Sequence, residues 1–315
     1  MKLYAAYLGA LCLAGSVVIS AQQQDVTTPG IPGVVANGTK VQTLATWERT
    51  AGGGGPAAMP DGSVVFVQQN IYKIMKIDAS GTLSTFLETM PNRILALAYD
   101  RQGRLIGTQQ GQPRGLAVFT PKRAMLVEMF NGQWFGTPND LVVDRKGGVY
   151  FTDNMNRLAR PGQTPPPADG KAAIYYYTPS GQLLQITDIP PEPNGIQISL
   201  DGKVVYLGSR NGDSIMALDV QPDGRVANAR KFAQIAETGK SGGADGMTVD
   251  AGGRLYVAAN DGVMVFSPQG QHLGTIPVPI KAAHVAFAGK DRKTLFIISA
   301  GGAYKVEMLA EGIKR

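Results

Sequence analysis

Six stretches of this 315-residue chain repeat one order of residues, and that repetition limits the fold more than any other feature. Each has a small-residue lead-in, a short apolar strand, a turn built on Asp and Gly, and a second apolar strand. They lie at 59–67, 97–106, 137–153, 196–207, 247–257 and 285–297. The turn acids Asp61, Asp100, Asp144, Asp201, Asp250 and Asp291 mark a period of roughly 40–50 residues. Third strands follow at 71–77, 116–119, 173–177, 214–218, 262–266 and 303–306, and fourth strands in several units, as at 183–186. Leu141, Val142 and Val143 show no polar alternation, as expected of a strand buried on both faces. A period of this length with three or four strands per unit predicts an all-β, single-domain, six-bladed β-propeller. A strand expected over 40–47 then completes the blade begun by the other terminus and closes the ring. A β-sandwich of irregular hairpins is the alternative, and six similar units argue against it.

Composition agrees with a turn-rich β fold. Forty Gly and twenty Pro supply the turns, and 43% hydrophobic residues supply the core. The net charge of +6 is scattered, with no basic run, so no nucleic-acid partner is expected.

Met1-Lys2, an apolar run over 3–19 and Ser20-Ala21 read as a secretory signal peptide, 1–21. A membrane anchor is the alternative; the run is at the lower limit for a span and no basic stop follows. The mature chain is expected to be exported, periplasmic or extracellular, monomeric and without a membrane span. Cleavage removes Cys12, the one cysteine, which excludes disulfides, thiol catalysis and Cys–metal sites. Residues 22–38 read as a flexible leader and 39–315 as the propeller.

In a propeller the innermost strand of every blade starts on one face, and the loops between second and third strands return there. Asn139, Asn194 and Asp245 each precede an expected innermost strand and should converge on the central opening. Asp153 ends a second strand on the same face. The insertion over 155–171 reads equally as a lid or as a surface loop. His284 stands at the start of the last blade and His272 in a surface turn; two histidines cannot build a three-His zinc site. Trp134 and Phe135 form either a substrate wall or core. There is no Gly-x-Ser-x-Gly elbow, phosphate loop or dinucleotide fingerprint.

Three phrases carry a family resemblance: Pro138-Asn-Asp-Leu-Val-Val-Asp with Val149-Tyr-Phe-Thr-Asp153, Glu192-Pro-Asn-Gly-Ile with Ser199-Leu-Asp-Gly, and Ala244-Asp-Gly-Met-Thr-Val-Asp. In these the chain resembles the regucalcin/gluconolactonase family over roughly residues 50–308. The resemblance implies a six-bladed propeller with a divalent cation, usually Ca2+, near the central tunnel, and hydrolysis of sugar lactones, or of organophosphates in relatives such as diisopropylfluorophosphatase. It implies Asn194 and Asp245 as metal ligands, and Asn139 as a ligand to the metal or the substrate. Asp245 would also be the catalytic base. From their places in the repeat Asp153 and His284 are candidates to face substrate. The alternatives are that Asn139, Asn194 and Asp245 are turn residues and His284 a satisfied, partly buried side chain. The family's Glu-Gly-Pro is here Gly54-Gly55-Pro56, so Gly54 stands where the first metal-ligating Glu belongs. Two functions follow: an exported, calcium-assisted hydrolase of a lactone or related ester, or a degenerate propeller that binds a ligand or protein partner.

Overall fold

The computed structural model describes residues 26–154, 172–186 and 192–313. These form six four-stranded antiparallel sheets and one two-stranded hairpin. The sheets are the blades of a propeller. Their inner strands, from blade 1 to blade 6, are Gly54–Ala58, Ile94–Tyr99, Pro138–Val143, Pro193–Ile198, Met247–Val249 and Ala282–Ala288. Neighbouring inner strands touch in ring order, and the first touches the last. The expected closure is present. Blade 6 takes three strands from the C-terminal part of the chain, and Gln42–Thr46 pairs with Gly302–Glu307 as its outer strand.

The turns form because Asp caps them. In blade 3 Oδ1 of Asp144 accepts the backbone N–H groups of Lys146 and Gly148, each at 2.8 Å. Asp100 does the same for Gln102 and Arg104, and Asp250 for Gly252 and Arg254. This local bonding is why Asp precedes Gly at the repeat's turn. Burial on both faces explains the unbroken apolar strands. Val142, Tyr150 and Ile174 pack toward blade 4 against Ile196, Val205 and Leu207, whereas Leu141, Phe151 and Tyr175 pack toward blade 2 against Ile106 and Val118.

The flexible leader expected over 22–38 is a packed segment where it is described. Thr27 bridges to Lys40 and Ile31 to Val35, and Ile31, Val34 and Val35 are buried with Tyr256, Phe287 and Met308. A polar, Gly/Pro-rich composition hides these well-spaced apolar residues. The signal peptide 1–21 and the insertion 155–171 lie outside the described residues. No helix among the described residues is long and apolar enough to cross a membrane.

Candidate functional site at the tunnel mouth

The side chains at the mouth are aimed by a repeated irregularity. In blade 3 Pro138 pairs with Asp153 and Leu141 with Phe151, so Asn139 and Asp140 stand opposite Thr152 alone. Blade 4 repeats this, with Asn194 and Gly195 opposite Gly208. In blade 5 the N–H of Asp245 donates to the Ala258 carbonyl, and the Ala258 N–H donates to the Gly246 carbonyl, at 2.9 and 3.1 Å. In blade 6 the register slips between Ala282 and His284. Such bulges kink a strand and re-aim its side chains. Here they gather one polar residue from each of four consecutive blades.

Those residues form an arc around the opening. Asn139 Nδ2 donates to Asn194 Oδ1. Asn194 Nδ2 donates to the carbonyl of Ala244 at 2.8 Å. Asp245 Oδ1 then stands 3.5 Å from Nε2 of His284. His284 lies beside Gly54 of blade 1, whose missing Cβ would be 3.3 Å from both Nε2 and Cδ2 of the ring. Asn139, Asn194 and His284 are buried, whereas the Asp245 side chain keeps 28% exposure and is the most accessible of the four.

Glycines follow two of these residues for a steric reason. A Cβ on Gly195 would lie 1.9 Å from the Asp245 carbonyl, so glycine lets blades 4 and 5 meet. A Cβ on Gly246 would lie 2.1 Å from Nδ1 of His284.

Beneath the arc a second layer fixes the blades to one another. Asp140 accepts the N–H of Leu141 at 2.9 Å and that of Ile196, in the next blade, at 3.0 Å. Thr152 Oγ1 accepts the N–H of Asp140 at 3.1 Å and donates to the carbonyl of Asn194 at 2.8 Å. In the preceding blade Thr108 makes the equivalent bridge, accepting from Ala96 and donating to the carbonyl of Asn139. Burial pushes the Asp140 carboxyl up to about 6, and Asp245 pushes the same way; His284 and the two N–H donors oppose it. In the sequence Asp140 is visible only as the neighbour of Asn139, since its bridge to Ile196 spans two blades.

Asp153 does not face the mouth. It is fully buried, its Oδ2 accepting the N–H of Gly136 at 2.9 Å and its Oδ1 that of Thr137 at 2.6 Å. Both oxygens serve the backbone that leads into Pro138 and Asn139, so Asp153 is a positioning residue. Burial raises its carboxyl to about 6, against those two bonds and the nearby Arg114. Phe135 is core, edge-on to Phe151 and Tyr175, while Trp134 lies exposed on the hairpin of Met129–Phe130 and Gln133–Trp134. His272 is exposed, as expected, and meets Thr275 at 3.1 Å.

No group of three or more His, Cys, Asp or Glu among the described residues is placed to hold a metal ion. A cation at the mouth would therefore draw on amide oxygens as well. Asn139, Asn194 and Asp245 would supply three oxygens and one formal negative charge once the Asn139–Asn194 bond gives way to the ion. That set fits a weakly held divalent ion, since calcium takes six to eight oxygens and its affinity rises with carboxylate count.

The fold and mouth define a six-bladed propeller with a polar site at one end of its tunnel. Residues 52–301 match the SMP-30/Gluconolactonase/LRE-like region, and the chain belongs to that family. It is 29% identical over 194 residues to the gluconolactonase of Zymomonas mobilis, covering 59% of this chain and 54% of that one. The chain spans about half the length of the curated relatives it matches. Among solved structures it superimposes on a gluconolactonase from Xanthomonas campestris with a TM-score of 0.77 at 26% identity, covering 90% of this chain and 94% of that one. A calcium-binding protein, regucalcin, from Agrobacterium tumefaciens shares the fold, with a TM-score of 0.70 at 21% identity over 87% of this chain and 96% of that one.

Proposed function

We propose that this chain is an exported hydrolase that opens a sugar lactone or a related ester at the mouth formed by Asn139, Asn194, Asp245 and His284. The observation that carries this reading is the gathering of those four polar side chains from four blades, in a family whose relatives include named gluconolactonases. Export rests on the N-terminal apolar run alone.

In this reading water adds to the lactone carbonyl carbon and the ring C–O bond breaks, leaving a hydroxy acid. Asp245 is the one carboxylate in the arc and the most accessible of its members. It takes the proton of the attacking water and delivers it to the leaving oxygen. The bonded run Asn139–Asn194–Ala244 holds two amides beside it to bind the substrate's oxygens. His284 closes the mouth on the far side of Asp245. Asn139, Asn194 and Asp245 are the residues that would hold a divalent cation, Ca2+ by resemblance to regucalcin, and such an ion would polarise the carbonyl and acidify a bound water.

The test is a pH-stat assay of the full chain against aldonolactones and aryl esters. Hydrolysis that falls at least about a hundredfold in Asp245→Asn supports the proposal. No turnover of any substrate by folded protein rejects it. Gly54 favours a second reading, a binding propeller without chemistry, because it leaves the arc with a single carboxylate. Saturable binding of the same lactones without turnover would support that reading.

A further inference from the structure

The space beside Gly54 is not empty. The imidazole of His284 occupies it, 3.3 Å from where a side chain at position 54 would begin. The same ring lies against Gly246 and places Nε2 at 3.5 Å from Asp245 Oδ1. Two donors that share one small divalent ion at bonds near 2.0–2.1 Å stand about 3 Å apart, so this pair needs only a slight closing movement to share one. Asn194 is tied to Ala244, the residue before Asp245, and Asn139 to Asn194. The Asp245 carboxylate and the His284 imidazole are thus the two donors set facing each other, and the amides of Asn139 and Asn194 lie next in the arc, the Asn194 oxygen accepting from Asn139 Nδ2.

We infer that His284 is the fourth side-chain donor of the mouth, and that the centre takes Zn2+ ahead of Ca2+. Imidazole nitrogen suits Zn2+, whereas calcium is a hard ion bound by oxygen, and Mn2+ serves here as the paramagnetic probe of the same donors. A His in place of a fourth oxygen removes a calcium donor and adds one that calcium uses poorly. Gly246 is what gives the ring its room, whereas a Cβ on Gly54 would first meet the Leu95 carbonyl at 2.9 Å and then the ring at 3.3 Å. This inference rests on the cation of the proposed function and changes its identity.

The experiment uses tag-free full chain carrying His272→Gln, which leaves His284 as the one histidine of the two in the sequence. Calorimetric titration compares Zn2+, Mn2+ and Ca2+, and pulsed EPR of the Mn2+-loaded, 15N-histidine-labelled protein reads direct nitrogen coordination. The expected result is an affinity for Zn2+ at least about tenfold above that for Ca2+, together with 15N coupling to Mn2+. The further substitution His284→Gln should abolish the coupling and bring the affinity ratio toward one. The EPR reading on the His284-containing protein stands even if that last variant fails to fold. Calcium bound as tightly as zinc, Mn2+ without nitrogen coupling, or no ion bound at millimolar concentration would each overturn the inference. Lactone hydrolysis measured in parallel separates the two readings. Turnover in excess chelator with no ion bound rejects the inference and leaves the hydrolase standing. Nitrogen-coupled ion with no turnover supports the inference and rejects the hydrolase.

Discussion

A methyl group on Gly246 would stand 2.1 Å from Nδ1 of His284, so the glycine and the imidazole occupy one space between them. Gly246→Ala should therefore displace the ring and disturb the Asp245–His284 pair. Overpacking of this kind destabilises by about 1–3 kcal/mol, and a shift of about 1 Å in a catalytic group costs on the order of a hundredfold in rate. Thermal melts and kcat/KM of Gly246→Ala check this. Adding His284→Ala should recover the melting temperature but not the activity. A fully active single variant would show that the ring's position does not matter.

Thr152 joins two blades through one hydroxyl. Thr152→Val leaves the N–H of Asp140 and the carbonyl of Asn194 without that partner in a buried layer. Unpaired buried groups cost about 1–3 kcal/mol each. A fall of at least about 2 kcal/mol in the free energy of unfolding is expected. Thr152→Ser, which keeps the hydroxyl, should lose less than half of that. Urea titration of the two variants side by side decides it.

Asp140 and Asp153 both have carboxyls raised to about 6 by burial. Unfolding returns each to about 3.9. Between those values the folded chain holds protons that the unfolded chain releases, so stability falls as pH rises through the window and levels off above about 6. The loss is on the order of 2–3 kcal/mol per group. Asp153→Asn should remove about half of that slope. It should also carry a constant cost of about 1–3 kcal/mol, because an amide has one acceptor for the N–H groups of Gly136 and Thr137. Urea midpoints between pH 4 and 7 measure both effects, and an unchanged slope in the variant would contradict the assignment to Asp153.

The ring closes through Gln42–Thr46 on Gly302–Glu307, with Ile31, Val34 and Val35 packed alongside. Removal of everything up to Thr46 bares an edge strand and some of the core between blades 5 and 6. The expected product is aggregated or unfolded chain, seen as loss of the monodisperse peak in gel filtration and of cooperative melting. A truncated chain that melts cooperatively at the original temperature would show that the closure is dispensable.

The blades and their order are legible in the sequence because the forces behind them are local. Each Asp caps a turn a few residues away, and each apolar run is dictated by two buried faces. Asn139, Asn194 and Asp245 are legible as a group because each sits at the same point of its repeat. The closing strand is legible because only one apolar segment is left over. The leader is not, because its composition is polar while Ile31, Val34 and Val35, which anchor it, are too few to stand out.

Repetition alone says which face a residue reaches but not whom it meets there. Asp153 occupies a promising repeat position, yet both its oxygens go to backbone N–H groups of the lead-in to its own blade. Asp140 bridges to Ile196 in the following blade. His284 comes from the last blade to lie beside Gly54 in the first. Those partners are distant in sequence and are brought together by bulges that turn side chains through angles no hydrophobic pattern encodes. The propeller is thus written in the order of residues, since local turns and two-faced strands require it. The chemistry of the mouth is settled in three dimensions, because it depends on which side chains the closed ring presses into the same few ångströms.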